Sequence, residues 1–323
     1  MIRIPRPLGT LAFLSAWLVP WRPAFRVRAG QSKLTFLVHR RDLAGRHIAK
    51  YGAYEPVLTQ WISDYLATSP AGIFVDVGAN LGWHAVHAAR HKAVETAVAF
   101  EPDPFNAWLL DRNLSLNDVD NVVVSTCAIG ARRGLIRLHK YKNSNRGRHS
   151  VLTDYGYGSR LVPLADLDTA LDNLGLAGRR VLIVKIDVEG YEPEVVAGAR
   201  RTLARADVVI IEFSPGLSRA GGLSTEAMLD QLYAAGLAPY RLESRDWAAE
   251  QPVGARPFEG QMDLIWTRIG GERVAASGGA AGFMVPTDKA ALLQIAEVWR
   301  QIADTTTAAR SAESEEPPSR TDP

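Results

Sequence analysis

The sequence predicts an α/β fold in which helices cover both faces of a mostly parallel sheet. Short apolar runs rich in valine and isoleucine alternate with segments of helical length, and buried parallel strands have such continuous apolar runs. The composition agrees, because 323 residues with 47% hydrophobic and 22% charged side chains form an ordinary globular chain with a large core.

The alternation of strand and helix can be followed through most of the chain. Residues 143–158 are rich in Asn, Ser, Gly and Arg, which predicts an irregular loop or a lid over a site. The predicted strands cover residues 73–77, 96–100, 121–126, 135–141, 180–186, 207–213, 238–242 and 262–268. The predicted helices cover residues 55–66, 83–91, 104–116, 167–174, 192–204, 224–235 and 286–299.

This pattern divides the chain into four parts. Residues 1–50 form an apolar and basic N-terminal arm, and residues 51–270 form the α/β domain. Residues 271–303 contain a linker of small residues and a C-terminal helix. Residues 304–323 are rich in Thr, Ala, Ser, Glu and Pro, so we expect them to be disordered.

The N-terminal arm has an apolar run at residues 8–21, with arginines on both sides. The run is shorter than the roughly 20 apolar residues that span a bilayer, and prolines interrupt it. We predict that the arm packs on the domain or on a second subunit, as in a homo-oligomer. Contact with a membrane surface and a signal peptide stay open as alternatives.

Charge and cysteine content restrict the function classes. A net charge of +2 gives no reason to expect a nucleic-acid partner. Cys127 is the only cysteine, so no intrachain disulfide can form and a reducing cytoplasm is the expected compartment. If the arm binds a membrane surface, the protein is membrane-peripheral.

Residues 74–82 form a glycine-containing turn between the first buried strand and its helix. Gly78 and Gly82, with Asn80 between them, allow close approach to a ligand. The spacing differs from the Gly-x-Gly-x-x-Gly of dinucleotide sites, and Asp76 precedes it. A carboxylate repels pyrophosphate but attracts the ammonium and sulfonium of S-adenosylmethionine. We therefore predict that these four residues bind such a cofactor; a plain turn with a capping aspartate is the alternative.

The ends of the next two strands complete the predicted cofactor site, since ligands of doubly wound sheets bind beyond the carboxyl ends of the strands. Glu101 follows the second strand, where a carboxylate can accept both ribose hydroxyls. We predict that Pro102 lies against the adenine. Cys127, after the third strand, is predicted to edge the adenine as a small apolar wall, because no partner base marks it as a nucleophile.

Two carboxylates, Asp187 and Glu189, follow the strand at residues 180–186. We predict that they are catalytic and that they orient an acceptor hydroxyl or take its proton. Nearby loops supply no obvious further oxygen ligands, so no metal site is predicted. Lys185 is expected to be an electrostatic partner of these carboxylates. His149 lies in the polar loop among arginines and is predicted to contact the substrate, since such loops close over sites.

In combination and in this order, the motifs have a known counterpart. They read Phe-Val-Asp-Val-Gly-Ala-Asn-Leu-Gly at 74–82, Phe-Glu-Pro-Asp at 100–103, Asn113 and Asn117 before Asn-Val-Val at 121–123, Lys-Ile-Asp-Val-Glu-Gly-Tyr-Glu at 185–192 and Ile-Glu-Phe-Ser-Pro at 211–215. The chain resembles, over about residues 54–267, the FkbM-type family of S-adenosylmethionine-dependent methyltransferases.

The resemblance implies a Rossmann-like class I methyltransferase fold at residues 51–270. It implies seven strands, mostly parallel, with an antiparallel last strand. It also implies S-adenosylmethionine as cofactor and O-methylation of a small-molecule or glycan acceptor, such as a sugar, a glycolipid or a polyketide-like molecule.

Two other functions stay open. One is a nicotinamide-dependent oxidoreductase, which shares a strand-turn-helix and an acidic second strand end; the missing middle glycine and Asp76 argue against it. The other is a catalytically silent binding protein that has kept the sheet. Asp76, Glu101 and Asp187 argue against a silent protein.

Overall fold

The protein is described here by a computed structural model, which covers residues 24–30, 32–142, 144–244, 261–268 and 282–315. The first folded unit is an antiparallel hairpin of β1 (Ala24–Arg28) and β2 (Thr35–His39), followed by helix α1 (Leu43–Tyr51). Asp42 caps α1 by accepting a hydrogen bond from the N–H of Gly45. This part of the expected arm is therefore regular structure, while residues 1–23, with the apolar run, lie outside the described residues.

The α/β part follows in the predicted alternation. Its strands are β3 (Gly72–Val77), β4 (Val94–Phe100), β5 (Val122–Ser125), β6 (Ala128–Ile129), β7 (Gly134–His139), β8 (Ser159–Ala165), β9 (Val181–Ile186), β10 (Ala206–Phe213), β11 (Leu237–Ser244), β12 (Met262–Arg268) and β13 (Gly282–Pro286). Its helices are α2 (Pro56–Thr68), α3 (Trp83–Ala89), α4 (Pro104–Leu116), α5 (Leu167–Asn173), α6 (Glu192–Ala197), α7 (Arg200–Arg205), α8 (Pro215–Ala220), α9 (Thr225–Ala234) and α10 (Lys289–Glu315).

The main sheet has the order β13-β11-β12-β10-β9-β3-β4-β5. The five strands from β10 to β5 run parallel, and β12 pairs antiparallel with β10 and β11, which is the antiparallel strand expected from the sequence. The described sheet has eight strands rather than seven, because β13 adds an antiparallel strand beside β11. The predicted α/β class with a mostly parallel sheet is confirmed.

The centre of the sheet is the most deeply buried part of the fold. Every residue of β3 and of β9 is buried, since helices cover the sheet on both faces. In a parallel sheet the carboxyl ends of neighbouring strands meet at one edge. Val77, Phe100 and Ile186 therefore end side by side, and the loops that follow them form one site.

Two asparagines, one in the last turns of α4 and one directly after it, attach the N-terminal hairpin to the domain. Asn113 accepts a hydrogen bond from the N–H of Leu37 at 2.6 Å and donates to its carbonyl at 3.1 Å. Asn117, one turn later, makes the same pair of bonds with Thr35, at 2.9 and 2.8 Å. The two amides thus satisfy the outer edge of β2 as a neighbouring strand would.

Three expectations about local structure need correction. The helix predicted at residues 192–204 is two helices, α6 and α7, because the chain turns at Gly198, where a Cβ atom would lie 2.0 Å from the carbonyl oxygen of Gly130. Helix α10 continues to Glu315, beyond the point at residue 304 where we expected disorder. The region 271–303, where a linker of small residues and a helix were expected, also contains β13, which begins at Gly282, while residues 269–281 and 316–323 lie outside the described residues.

Within the described ranges, no helix is both long and apolar enough to cross a membrane.

Candidate functional site

A cavity of about 750 Å³ opens at the carboxyl ends of β3, β4, β9 and β10. This volume is typical of small-molecule sites, which span about 300–1,000 Å³. Residues of the segment from Asn145 to Val151 and of the first turns of α1 and α2 also line it. Eight of the ten predicted site residues line the cavity: Gly78, Asn80, Glu101, Pro102, Cys127, His149, Asp187 and Glu189.

The glycine turn after β3 has a steric cause. Gly78 has φ = 87°, and a Cβ atom there would lie 1.8 Å from the carbonyl oxygen of Asp187. Asn80 also adopts a left-handed conformation, with φ = 50°. The turn brings the two strand ends into contact and exposes backbone to the cavity. Gly82 lies outside the cavity lining, and its role is to begin α3 against Leu110, 2.9 Å from where a Cβ would be.

Glu101 is fixed at the end of β4 by two backbone donors. Its Oε2 accepts from the N–H of Asn80 at 2.8 Å, and its Oε1 accepts from the N–H of Asp103 at 2.8 Å. Burial raises the pKa of Glu101 to about 8. The two backbone donors fix the orientation of the carboxyl group, and its remaining lone pairs are available to hydroxyl groups in the cavity.

Asp76 lies beneath the cavity and not in its lining. It is buried within β3, opposite Lys185 of β9, and neither carboxylate oxygen has a hydrogen-bond partner among the described residues. Burial raises the pKa of Asp76, while the charges of Lys185 and His84 lower it. A buried carboxylate without hydrogen bonds is costly, so this position favours a cationic group or a water molecule above it.

Lys185 is the buried cation of the site. Its Nζ donates to Asp187 Oδ2 at 2.9 Å. Burial alone lowers the pKa of Lys185, but the charges of Asp187, Asp76 and Glu55 raise it above its usual value. The expected electrostatic pairing of Lys185 with the carboxylates is therefore present in the structure, and Asp187 is engaged in an ion pair.

Helix α2 contributes a polar pair that the sequence analysis missed. Glu55, at the start of α2, has φ = 40° and accepts a hydrogen bond from Nε2 of buried His84 at 2.7 Å. Burial opposes ionisation, but His84 and Lys185 together with a hydrogen bond from Tyr54 lower the pKa of Glu55 to about 2. Tyr54 and Glu55 both line the cavity, so this wall carries a negative charge.

Glu189 follows β9, and its surroundings differ from those of Asp187. It is buried, has φ = 54°, and its Oε2 lies 3.6 Å from Nε of Arg148. Burial and the charge of Asp187 raise the pKa of Glu189 to about 7. Gln261 donates from Nε2 to Glu189 at 3.4 Å and to Glu212 at 3.2 Å.

The segment from Asn145 to Val151 is held by hydrogen bonds to two distant parts of the chain, Asp42 and Asp103. The N–H of Arg146 donates to Asp42 at 2.7 Å, and its guanidinium donates to Asp103 at 2.9 Å. His149 accepts from the N–H of Tyr141 through Nδ1, and its Nε2 lies 3.9 Å from Asp103. Burial lowers the pKa of His149 to about 4, so its ring is neutral at pH 7.

Cys127 has the environment of a wall residue. It is half-buried, and its Sγ lies 3.3 Å from Oγ of Ser125. Burial raises the pKa of its thiol, which disfavours the thiolate that a nucleophile needs. Among the described residues no cluster of three or more His, Cys, Asp or Glu side chains is arranged to hold a metal ion.

The cavity residues that were not predicted as site residues include Tyr54, Glu55, Arg148, Glu212 and Gln261. Glu212 had a signal, since it belongs to the Ile-Glu-Phe-Ser-Pro motif at 211–215. The others reach the site through tertiary structure and carry no local pattern.

Comparisons with known proteins agree with this architecture. A family model described as methyltransferase FkbM domain matches residues 76–237, half of the chain. The chain is 28% identical over 174 residues to methyltransferase sdnD of Sordaria araneosa, covering 45% of this chain and 67% of that protein.

Two further relatives act on named positions or substrates. The chain is 26% identical over 182 residues to 2-O-methyltransferase NoeI of Sinorhizobium fredii, covering 52% of this chain and 73% of that protein. It is 30% identical over 142 residues to hexuronic acid methyltransferase AglP of Haloferax volcanii, covering 44% of this chain and 56% of that protein.

Proposed function

We propose that this chain, which belongs to the FkbM family of S-adenosylmethionine-dependent methyltransferases, transfers the cofactor's methyl group to a hydroxyl of a sugar-like acceptor. The observation that carries the proposal is the placement of two different carboxylates in one cavity. Glu101 follows β4 and is held by backbone donors, and Glu189, with a pKa of about 7, follows β9, with β3 between these two strands.

The names of two relatives support an oxygen acceptor. NoeI is a 2-O-methyltransferase, and AglP acts on hexuronic acid. The cavity offers a carboxylate, an amide and a guanidinium for the acceptor, at Glu189, Gln261 and Arg148. Such groups hydrogen-bond sugar hydroxyls.

The residues present fit S-adenosylmethionine. We propose that Glu101 accepts the ribose hydroxyls, and that Pro102 and Cys127 lie along the adenine. The unsatisfied carboxylate of Asp76, below the turn of Gly78, favours the cationic methionine end nearby. The bound cofactor supplies an activated methyl group on a sulfonium, so the protein's task is positioning, exclusion of water and proton removal.

The proton balance of the reaction requires a base. The acceptor oxygen forms a bond to the methyl carbon as the sulfur–methyl bond breaks, and that electron pair stays on the neutral thioether. The hydroxyl proton leaves at the same stage. We propose that Glu189 takes it, because a carboxylate with a pKa of about 7 is better matched to this task than Asp187, which is engaged with Lys185.

We assign the remaining predicted residues supporting roles. Asp187 fixes the end of β9, since its N–H donates to the carbonyl of Val77 and its carboxylate holds Lys185. His149, neutral and bound to the backbone of Tyr141, is proposed to donate from Nε2 to a ligand in the cavity.

Residues 1–23 carry two further proposals about the whole protein. The apolar run between arginines supports contact with a membrane surface or with a second subunit in the cytoplasm. Cosedimentation with anionic vesicles and sedimentation velocity, each with the full chain and with a chain lacking residues 1–23, test the two.

The proposed function is tested with S-adenosylmethionine carrying a labelled methyl group. The acceptors are methyl β-D-glucopyranoside, methyl β-D-glucuronide and a polar cell-extract fraction whose labelled product is identified. We expect Glu189→Gln to lower turnover roughly 10²–10⁴-fold with little effect on S-adenosylhomocysteine affinity. We expect Glu101→Gln to weaken that affinity. Glu226→Gln, on the exposed face of α9, is the matched control.

Three outcomes would contradict parts of this proposal. A labelled product without a new O-methyl group would exclude O-methylation. Full turnover of Glu189→Gln would remove the assigned base. Calorimetry that finds tight binding of NAD and none of S-adenosylhomocysteine would contradict the cofactor and favour an oxidoreductase.

A further inference from the structure

Glu189 has a second carboxyl group beside it, that of Glu212, which has no role in the proposed mechanism. Glu212 is the second-last residue of β10, and Gln261 immediately precedes β12. Nε2 of Gln261 lies 3.0 Å from Oγ of Ser214, 3.2 Å from Oε2 of Glu212 and 3.4 Å from Oε2 of Glu189. One neutral amide therefore shares its two hydrogens among a hydroxyl and both carboxyl groups at the wall of the cavity.

The two carboxyl groups differ in the charges that face them. Glu189 has the guanidinium of Arg148 near its Oε2. Glu212 has Gln261 and the hydroxyl of Ser214 as hydrogen-bond partners. The charged groups that act most strongly on Glu212 are all carboxylates, from the end of β9, from α6 and from β12: Asp187, Glu189, Glu192 and Asp263. Tyr54 faces it from the start of α2.

Two adjacent carboxylates served by one amide repel each other, and a shared proton removes that repulsion. The guanidinium of Arg148 lies beside Glu189, so the negative charge is better placed on Glu189 and the proton is better placed on Glu212. Burial and the surrounding carboxylates also raise the pKa of Glu212 well above its usual value.

We propose that Glu212 carries a proton in the working enzyme and thereby leaves Glu189 as the single charged carboxylate of the pair. The role rests on the proposed function, because Glu189 is the proposed base. Glu212 is a positioning residue that acts through Glu189: as an anion it would draw the proton onto Glu189, which could then take none from the acceptor.

The direct test is the ionisation of both groups in the complex with S-adenosylhomocysteine. Carboxyl ¹³C resonances of glutamate-labelled protein are followed from pH 5 to pH 10, and Glu212→Gln and Glu189→Gln assign the two signals. We expect Glu212 to be protonated at pH 7 and to titrate above Glu189. Glu226→Gln provides a matched control that should alter neither signal.

Glu212→Gln separates this proposal from a merely structural role. Glutamine mimics a protonated carboxyl group, so the titration midpoint of Glu189 should stay within about 0.3 pH unit. If Glu212 were ionised at pH 7, the same change would lower that midpoint by about one to three pH units. That drop, or an ionised Glu212 signal in the unmodified protein at pH 7, would overturn the proposal.

Kinetics give a second readout once an acceptor is in hand. The acidic limb of the turnover profile reports the ionisation of Glu189, and we expect Glu212→Gln to leave that limb within about 0.3 pH unit of its position in unmodified protein. A shift of the limb to lower pH by about one pH unit or more would contradict the proposal. The carboxyl titration needs no acceptor, so it decides the proton on Glu212 even if the proposed base or acceptor is wrong.

Discussion

Replacing Asn113 by alanine should destabilise the protein more than replacing an exposed polar side chain would. The side chain is fully buried on α4 and accepts from the N–H of Leu37 while donating to the carbonyls of Leu37 and Leu81. The change would leave three backbone groups without these partners. A lost hydrogen bond of this kind costs about 1 kcal/mol or more, so we expect about 3 kcal/mol.

The free energy of unfolding from urea titrations measures this effect, with Asn173→Ala as the control. Asn173 is exposed at the last position of α5, and its replacement should change stability by less than about 0.5 kcal/mol. A loss of about 3 kcal/mol is large against the roughly 5–15 kcal/mol of a typical protein. A loss below about 1 kcal/mol for Asn113→Ala would refute the idea that this amide holds β2 in place.

Two further predictions concern the sheet end beneath the cavity. Gly78→Ala should abolish S-adenosylhomocysteine binding in calorimetry, because its Cβ would lie 1.8 Å from the carbonyl oxygen of Asp187. Gly175→Ala is the control: this residue also has a positive φ, 72°, but has open space around it, so binding should stay intact. Equal binding by both variants would contradict the steric argument. Lys185→Met should lower the free energy of unfolding by about 3–5 kcal/mol at pH 7, because it leaves Asp76 and Asp187 without their cation. As the pH falls and these carboxylates are protonated, the difference from unmodified protein should shrink. A loss that does not depend on pH would point to side-chain shape instead.

The central strands were predictable because each is a short apolar run that ends in a polar turn. Residues 73–77 and 180–186 were predicted as strands, and β3 and β9 cover almost the same positions. Their adjacency follows from the fold class, since parallel strands of one sheet end at the same edge. The family was also predicted from these motifs, and the match over residues 76–237 confirms it.

The rim of the site was less predictable, because its residues meet through tertiary structure alone. Glu55 precedes a helix and has no motif, and its cavity position depends on how α2 docks against His84. Gln261 immediately precedes β12 and reaches Glu189 only because β12 returns antiparallel beside β10. Asn113 was recognised as part of the family pattern, but its contact with Leu37 could not be read from spacing.

The contact of Asp42 with Arg146 has a consequence for how ligands enter. A side-chain hydrogen bond joins these residues, whereas a ladder of paired residues joins β3 to β9 beneath them. Weakly held units of a protein can open without global unfolding. We therefore expect the segment from Asn145 to Val151 to open more readily than the sheet. Amide hydrogens near Arg146 should exchange faster than those of β3, and bound cofactor should slow them first.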